Sequence, residues 1–431
     1  MMKKIQLIIL LFMLSVLLHA QSGQKIIRLQ LVIDSAMARY PVSKQQQDFD
    51  QVQQLTLQQL NAAFLPGISL NGQMTIQSDV TQLSISMPGF SPPELAKDWY
   101  KINLDITQIV YDGGQIKHNK SLEAQQHKIK IAELETQENA FKESVSKLYF
   151  RALLLKQQIR VFQSMHQSLS ATTHEMEAAV ENGIVLASGV QQMHVELLRN
   201  TSQKLEAEAA LEATLAFLNV YSGLQIQPSD SLSSPFIVSQ ERHFSNQRPE
   251  WIGLNLQIEK SGLQQKLIQA KRKPNILAFA QAGYGRPGYN MLDDQFSDYY
   301  IIGLRFNYKI WDWKTNQREQ SIWQISASII EKNKQSFEMN QRAAFEAKKA
   351  EIQKLKEILT NDSAIVQLQE AISESQRAAL KAGILTSAAF LQEVEKLRMA
   401  LLQHETNKIK LLNAMTELMF ITGKMNFDEQ P

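Results

Sequence analysis

Chemistry in a folded chain needs nucleophiles, acids, bases or ligands at set spacings, and this sequence offers few. It holds eight histidines and no cysteine in 431 residues. Without cysteine there is no disulfide, thiolate metal site, cysteine nucleophile or lipid-modified N-terminal cysteine. There is no glycine-rich phosphate loop, no His-Glu-x-x-His helix and no serine nucleophile elbow. His19 lies in an N-terminal apolar run, and the other histidines are scattered without ligand spacing. The sequence therefore reads as a non-enzyme with no catalytic residue, cofactor or metal centre.

What remains is the chemistry of surfaces. Gly183 and Gly383 stop two helical patterns, as glycine does in the left-handed cap position. Ile184, Val185 and Leu186 follow the first, and Ile384 and Leu385 the second. A solvent-facing turn is normally polar. The two turns are thus either a docking surface for a partner or apolar contacts that close each hairpin on itself, and the residues leave both open. A second group is aromatic. Trp99, Tyr100 and Tyr111 flank one strand pattern, and Tyr299, Tyr300, Trp311 and Trp313 flank another. Rings with an apolar body and a polar tip collect at membrane interfaces.

The elements that must position these residues are legible in hydropathy. Lys3 and Lys4 precede an apolar run from Ile5 to Leu18, and Ala20 precedes polar Gln21-Ser22-Gly23. This predicts a signal peptide over 1–20 and an exported protein. Its removal leaves basic and acidic residues equal in number, so a polybasic nucleic-acid surface is excluded. Ile68, Leu70, Met74 and Ile76 alternate with polar residues, as do Tyr100, Ile102, Leu104 and Ile106. In a second set Tyr300, Ile302, Leu304, Phe306, Tyr308 and Ile310 share one face, opposite Arg305, Asn307 and Lys309. A weaker strand runs over 276–286. This alternation fits a transmembrane β-barrel, and equally a half-buried sheet in a soluble domain. Between Gly114 and Gly183 there is neither glycine nor proline, which predicts a helix of roughly 100 Å. Its heptad seam runs through Phe141, Val145, Leu148, Ala152, Leu155, Ile159, Phe162, His166, Leu169, Thr173, Met176 and Val180.

The chain also repeats itself. Val110-Tyr111-Asp112 matches Ile310-Trp311-Asp312, and Asn182-Gly183-Ile184 matches Ala382-Gly383-Ile384, both at an offset of 200. Upstream, Pro66 matches Pro274 at an offset of 208. The expected organisation is a first repeat over 21–223, a linker over 224–247, a second repeat over 248–423 and a tail over 424–431. Each repeat has a helix, two strands, a long helix, a turn and a shorter helix. Four strands cannot close a barrel, since about eight is the minimum. An open sheet in lipid leaves edge groups unpaired at several kcal/mol each. The strands must therefore be pooled from several chains.

This order of elements, the Tyr-Asp-Gly-Gly and Trp-Asp-Trp junctions, the Asn-Gly-Ile and Ala-Gly-Ile turns and the duplication resemble the TolC family of outer membrane efflux proteins. The resemblance covers about 30–423. It implies a mostly α fold with β: long coiled-coil hairpins forming a periplasmic α-barrel, and four strands per chain in a twelve-stranded barrel of a homotrimer. It implies the outer membrane exit duct of a tripartite efflux or type I secretion system. The partners implied are a periplasmic adaptor (membrane fusion) protein, an inner membrane pump and outer membrane lipid. Family members often carry aspartates after the turns, lining a closed entrance. Here those positions are Gly189, Ala389 and Gln392. With Gln191, Gln192 and Glu393 they are the candidates for a more neutral constriction. The competing expectation is a non-channel periplasmic adaptor or a structural spacer.

Overall fold

The computed structural model describes residues 25–81, 95–182, 185–235 and 244–423. The expected signal peptide, Gly183, Ile184, residues 236–243 of the linker and the 424–431 tail lie outside the described residues. The elements run β1 (Ile26–Ile27), α1 (Leu29–Arg39), a 3-10 turn (Pro41–Lys44), α2 (Gln45–Ala62), β2 (Gly67–Ile76), β3 (Asp98–Tyr111), α3 (Gln115–Glu181) and α4 (Ala187–Ser222). Then follow β4 (Ser231–Leu232), α5 (Pro249–Ala270), β5 (Asn275–Arg286), β6 (Ser297–Asn307), α6 (Thr315–Lys381) and α7 (Ser387–Thr422). Both long helices have 67 residues and both return helices 36, so the repeat is visible element by element. At 1.5 Å per residue each long helix spans roughly 100 Å. Among the described residues no helix is long and apolar enough to cross a membrane.

The chain divides into two compact units. The helical unit holds Met1–Gln45, Leu134–Trp251 and Ser336–Pro431. Its main core packs Val145, Tyr149 and Leu153 of α3 against Leu29, Val32 and Ile33 of α1 and against Leu211, Leu215 and Leu218 of α4. A second core joins Val161, Met165, Leu169 and Met176 of α3 to Met193, Leu380, Phe390 and Val394. The heptad reading holds for Val145, Ala152, Ile159, Phe162, Leu169, Thr173 and Met176, all buried, but His166 is exposed and Met165 is buried instead. A single stripe assumes one partner along the whole helix. Here α3 meets α1 and α4 along one stretch and the ends of α4, α6 and α7 along the next, so its buried face turns.

The interrepeat segment is built into this unit rather than hanging from it. β1 pairs in parallel with β4, Ile26 opposite Ser231 and Ile27 opposite Leu232. The buried Tyr149 hydroxyl lies 2.8 Å from the Ile27 carbonyl and 2.7 Å from the Ser233 carbonyl, so its one proton is shared between two acceptors. Burial pushes the Tyr149 phenol up to about 12. Lys156 donates to the carbonyls of Pro228, at 2.8 Å, and Asp230. Burial, with Arg160 nearby, holds its ammonium below the usual range, and Asp230 opposes that shift.

The second unit holds Gln46–Glu133 and Ile252–Gln335. It contains a four-stranded antiparallel sheet in the order β2-β3-β5-β6. Beside the sheet, the start of α3 is held by polar contacts. Gln125 donates to the Leu256 carbonyl and to Glu259, both at 2.9 Å, and His127 lies 2.7 Å from Asp50.

Candidate functional site

Strand register sorts the sheet into two faces. Rows such as Leu70–Leu104–Ala282–Tyr300 and Ile68–Ile106–Ala280–Ile302 run across all four strands on one face. Ile302 is 76% exposed and Leu304 72%, and Ile68, Leu70, Met74 and Ile76 are equally uncovered. A continuous apolar sheet face left open to solvent is what a lipid or protein environment must cover. The other face is polar. There Asp105 accepts from Asn103 at 2.7 Å, from Gln281 at 2.6 Å and from Asn71. Tyr289 donates to Gln281 at 2.9 Å. Arg305 lies over the Phe279 ring at 5.4 Å. The outer edges of β2 and β6 have no strand partner among the described residues.

The aromatic group divides between these faces. Tyr100 and Tyr300 lie on the apolar face at one end of the strands. Tyr111, Trp311 and Trp313 lie exposed toward the other end, and a bulge between Ile109 and Tyr111 turns Tyr111 to the apolar side, opposite Ile276. Trp99 and Tyr299 do not belong with them. Both fall on the polar face, where Lys101 sits 5.3 Å from the Trp99 ring and 6.0 Å from that of Tyr299. Tyr299 is only 9% exposed and packs against Tyr289 at 4.9 Å. The reason is parity: neighbours along a strand point to opposite faces, so Trp99-Tyr100 and Tyr299-Tyr300 cannot both face lipid. Sequence reasoning missed Phe296 and Arg286. Phe296 stacks on Tyr284 at 5.6 Å, and Arg286 lies 5.8 Å from Tyr100 and 5.7 Å from Phe296.

Each sheet-to-helix junction is closed by its aspartate. Asp112 accepts from the backbone N–H of Gly114 at 2.8 Å and of Ile116 at 2.6 Å. Asp312 accepts from Lys314 at 3.0 Å and Asn316 at 3.1 Å. Both junctions need two residues at positive φ. The first copy uses Gly113 (φ +71) and Gly114 (φ +90), and the second uses Trp313 (φ +54) and Lys314 (φ +63). A side chain in that region costs about 1–2 kcal/mol per residue. Gly113 is forced, because a Cβ there would come within 2.8 Å of the Ala270 carbonyl and the Lys273 Cβ.

At the hairpin turns the apolar residues split into two roles. Gly383 (φ +72) ends α6 in a Schellman cap: its N–H bonds the Leu380 carbonyl at 3.0 Å, and that of Ile384 bonds Ala379 at 3.0 Å. Val185 and Leu385 pack back onto the adjacent helical core. Leu186 and Ile384 turn outward, 77% and 82% exposed.

Of the constriction candidates, Gln191, Gln192 and Gln392 line one groove between α4 and α7, of about 770 Å³. Gly189, Ala389 and Glu393 do not join them. Gly189 is buried at a close approach, where an added Cβ would lie 2.4 Å from the Ser387 Oγ. The Ala389 N–H is taken by the Thr386 cap. Glu393 accepts from Lys396 at 2.8 Å and from Gln369 of α6 at 3.0 Å, and the Lys396 bond holds its carboxyl below the usual range against some burial. The residue that sequence reasoning missed is Arg398. It is buried on the groove floor and bonds Glu196 at 3.0 Å and also Glu395; together with Arg199, 3.7 Å from Glu196, it balances the two carboxylates of the groove. Its signal was a lone arginine between Val394, Leu397 and Leu401 on an otherwise apolar stripe.

Residues 43–224 match the family model described as outer membrane efflux protein. The solved structures that resemble the chain agree with it. The outer membrane protein VceC of Vibrio cholerae superposes with a TM-score of 0.70 at 15% identity, over 92% of this chain and 96% of that one. CusC, described in terms of transmembrane channel formation, gives 0.74 at 12% identity over 92% of each chain. The open-state MtrE outer membrane channel of Neisseria gonorrhoeae gives 0.68 at 13% identity, over 92% and 89%. The family match is thus confined to residues 43–224, whereas the fold of those structures extends over 92% of the chain. The TolC-family resemblance read from the junctions, turns and duplication is thereby seen in the fold. No curated protein matches in sequence.

Proposed function

We propose that the protein is the outer membrane exit duct of an export system. Three chains pool four strands each into one closed barrel, and the helical hairpins extend into the periplasm. The duct is passive. A periplasmic adaptor meets it at the outward-facing Leu186 and Ile384, and an inner membrane pump supplies the energy. The observation that carries this reading is the sheet: four strands, both outer edges unpaired among the described residues, one face predominantly apolar and the other lined by Asp105, Asn71, Asn103 and Gln281. Four strands fall short of the roughly eight that close a barrel, whereas three chains supply twelve. Helix α6 supports the same assembly. Ile322, Ile325 and Ile329 lie exposed at helical spacing, as do Ile365, Leu368 and Ile372 farther along. A helix with such a stripe needs a neighbour. A periplasmic adaptor or spacer has no use for an exposed apolar sheet face.

The test is native mass spectrometry in detergent, followed by planar-bilayer recording of the same preparation. The expected result is a trimer mass and stable single-channel conductance. A folded, monodisperse monomer with no conductance overturns the proposal.

A further inference from the structure

The two sheet-to-helix corners of the chain have the same backbone and opposite chemistry. In the second copy Lys271, Arg272 and Lys309 line a cavity of about 340 Å³ beneath Trp311 and Trp313. The two indoles meet edge to face at 5.7 Å and are 68% and 76% exposed. Two carboxylates share the cavity wall. Asp312 is spent on the backbone N–H groups of Lys314 and Asn316. The other is Glu319, one turn into α6. Among the described residues no carboxylate pairs with Lys271, Arg272 or Lys309.

In the first copy the three cations and both indoles are missing, while the capping aspartate is kept as Asp112. The repeat offsets place Ala63, Phe64 and Ile109 where the three cations stand, Tyr111 at Trp311 and Gly113 at Trp313. Packing explains Gly113, since a neighbouring backbone carbonyl closes on it. The second copy holds a bulky indole and a cation in a backbone geometry that its own duplicate fills with glycine.

We infer that this corner binds the headgroup of an anionic glycerophospholipid in the periplasmic leaflet. The inference rests on the reading of the sheet as membrane-spanning. The chemistry is complementary at each point. A phosphodiester carries a negative charge that unpaired lysine and arginine neighbours attract. Indoles lie at the boundary between acyl chains and headgroups, where their apolar rings and polar N–H groups are both accommodated. The corner follows the last strand residue, at the level where headgroups begin. The site occurs once per chain.

Native mass spectrometry of the oligomer, incubated with equal amounts of phosphatidylglycerol and phosphatidylethanolamine of identical chains, reads the preference. Wild type retains the anionic lipid over the zwitterionic one by roughly 10- to 100-fold, from about fivefold per cation with incomplete additivity. The variant K271Q/R272Q/K309Q falls to within about twofold of equality, and K271R/K309R keeps the preference, which separates lost charge from lost folding. A triple variant that retains the wild-type preference overturns the inference. So does competition by millimolar inorganic phosphate equal to that of the lipid, because the ligand would then be a free anion. Brominated phosphatidylcholine quenches the fluorescence that is lost in W311F/W313F. Quenching without an anionic preference, or no quenching in a conducting oligomer, overturns this inference and leaves the duct reading intact. No quenching together with no conductance overturns both.

Discussion

Arginine at position 302 separates the two faces of the sheet most sharply. Ile302 is the sixth of the eleven residues of β6, so it lies at mid-strand. Eleven residues at about 3.3 Å span some 36 Å, and a 45° tilt reduces this to about 25 Å of height, the thickness of a lipid-facing band. Its row is apolar throughout, Ile68–Ile106–Ala280–Ile302, so no neighbour on that face supplies a counter-charge. An arginine at mid-bilayer depth then costs about 2–4 kcal/mol per chain, a factor of roughly 30 to 1,000 in the folding equilibrium. The matched control is Ser69→Arg. Ser69 pairs with Asp105 in the row that ends at Ile301, so it sits at nearly the same depth on the opposite face. There the guanidinium meets water and the Asp105 carboxylate, and the expected cost is below about 1 kcal/mol. Folding in liposomes, followed by denaturant titration and gel mobility of the unheated oligomer, measures both variants. Equal losses, or an Ile302→Arg protein as stable as wild type, would refute the assignment of faces.

Replacing Leu186 and Ile384 with glutamate abolishes export while oligomer level and membrane insertion stay normal, since neither side chain is packed; transport beside immunoblotting checks it, and a fall in protein level points instead to a closing role. Tyr149→Phe changes the alkaline limb of stability. The folded phenol titrates near 12 against 10 unfolded, so its contribution is complete below pH 10 and disappears as pH rises toward 12, a loss of about 2–3 kcal/mol that the variant should not show in denaturant melts across that range. Leu304→Cys combined with Met74→Cys forms a disulfide between chains under mild oxidation, whereas Leu304→Cys with Thr75→Cys does not; non-reducing gels decide it, with no background because the chain has no cysteine.

How far the sequence speaks depends on how local the cause is. Strand faces follow from alternation alone, so Ile302, Leu304 and Phe306 opposite Arg305 and Asn307 could be read without coordinates. The helix ends at Gly383 and the capping aspartates Asp112 and Asp312 are equally local. Helix α1 was not legible. Its buried residues Leu29, Val32, Ile33 and Ala36 do have helical spacing, but eleven residues are too few for that pattern to stand out, and the core they enter is supplied by α3 and α4. His166 was misplaced because the burial of a helix face depends on its partner, and α3 changes partners. Trp99 and Tyr299 were grouped with their neighbours by composition, when parity already opposed it. Arg398 stood out only as a lone arginine on an apolar stripe, and its partner Glu196 comes from the other repeat, which no spacing along the chain reveals.

For the proposed shared barrel, the duplication also predicts how one chain meets the next. Within the chain β3, the second strand of the first copy, pairs with β5, the first strand of the second copy. The matching pair of open edges is β6 and β2, again a second strand and a first strand. The contact inside the chain is therefore the template for the contact between chains. Leu104 lies opposite Ala282. Adding 200 to the first and subtracting 208 from the second places Leu304 opposite Met74 of the adjoining chain, and Ile302 opposite Ile76, by the repeat offsets. Both pairs join exposed apolar residues, so the transferred register keeps every side chain on its own face, whereas a slip of one residue would send a whole strand to the wrong side. The same transfer accounts for the end of β6. The alternation continues through Tyr308 to Ile310, yet the ladder with β5 stops at Asn307, opposite Asn275. Its counterpart β3 continues to Tyr111. In the transferred register Tyr308 faces Leu70 and Trp311 faces Ile68 of the neighbouring β2, with Ile310 at the position of the bulge. The alternation is written in the sequence to its full length, and in the proposed barrel the next copy of the chain supplies the partner that completes it.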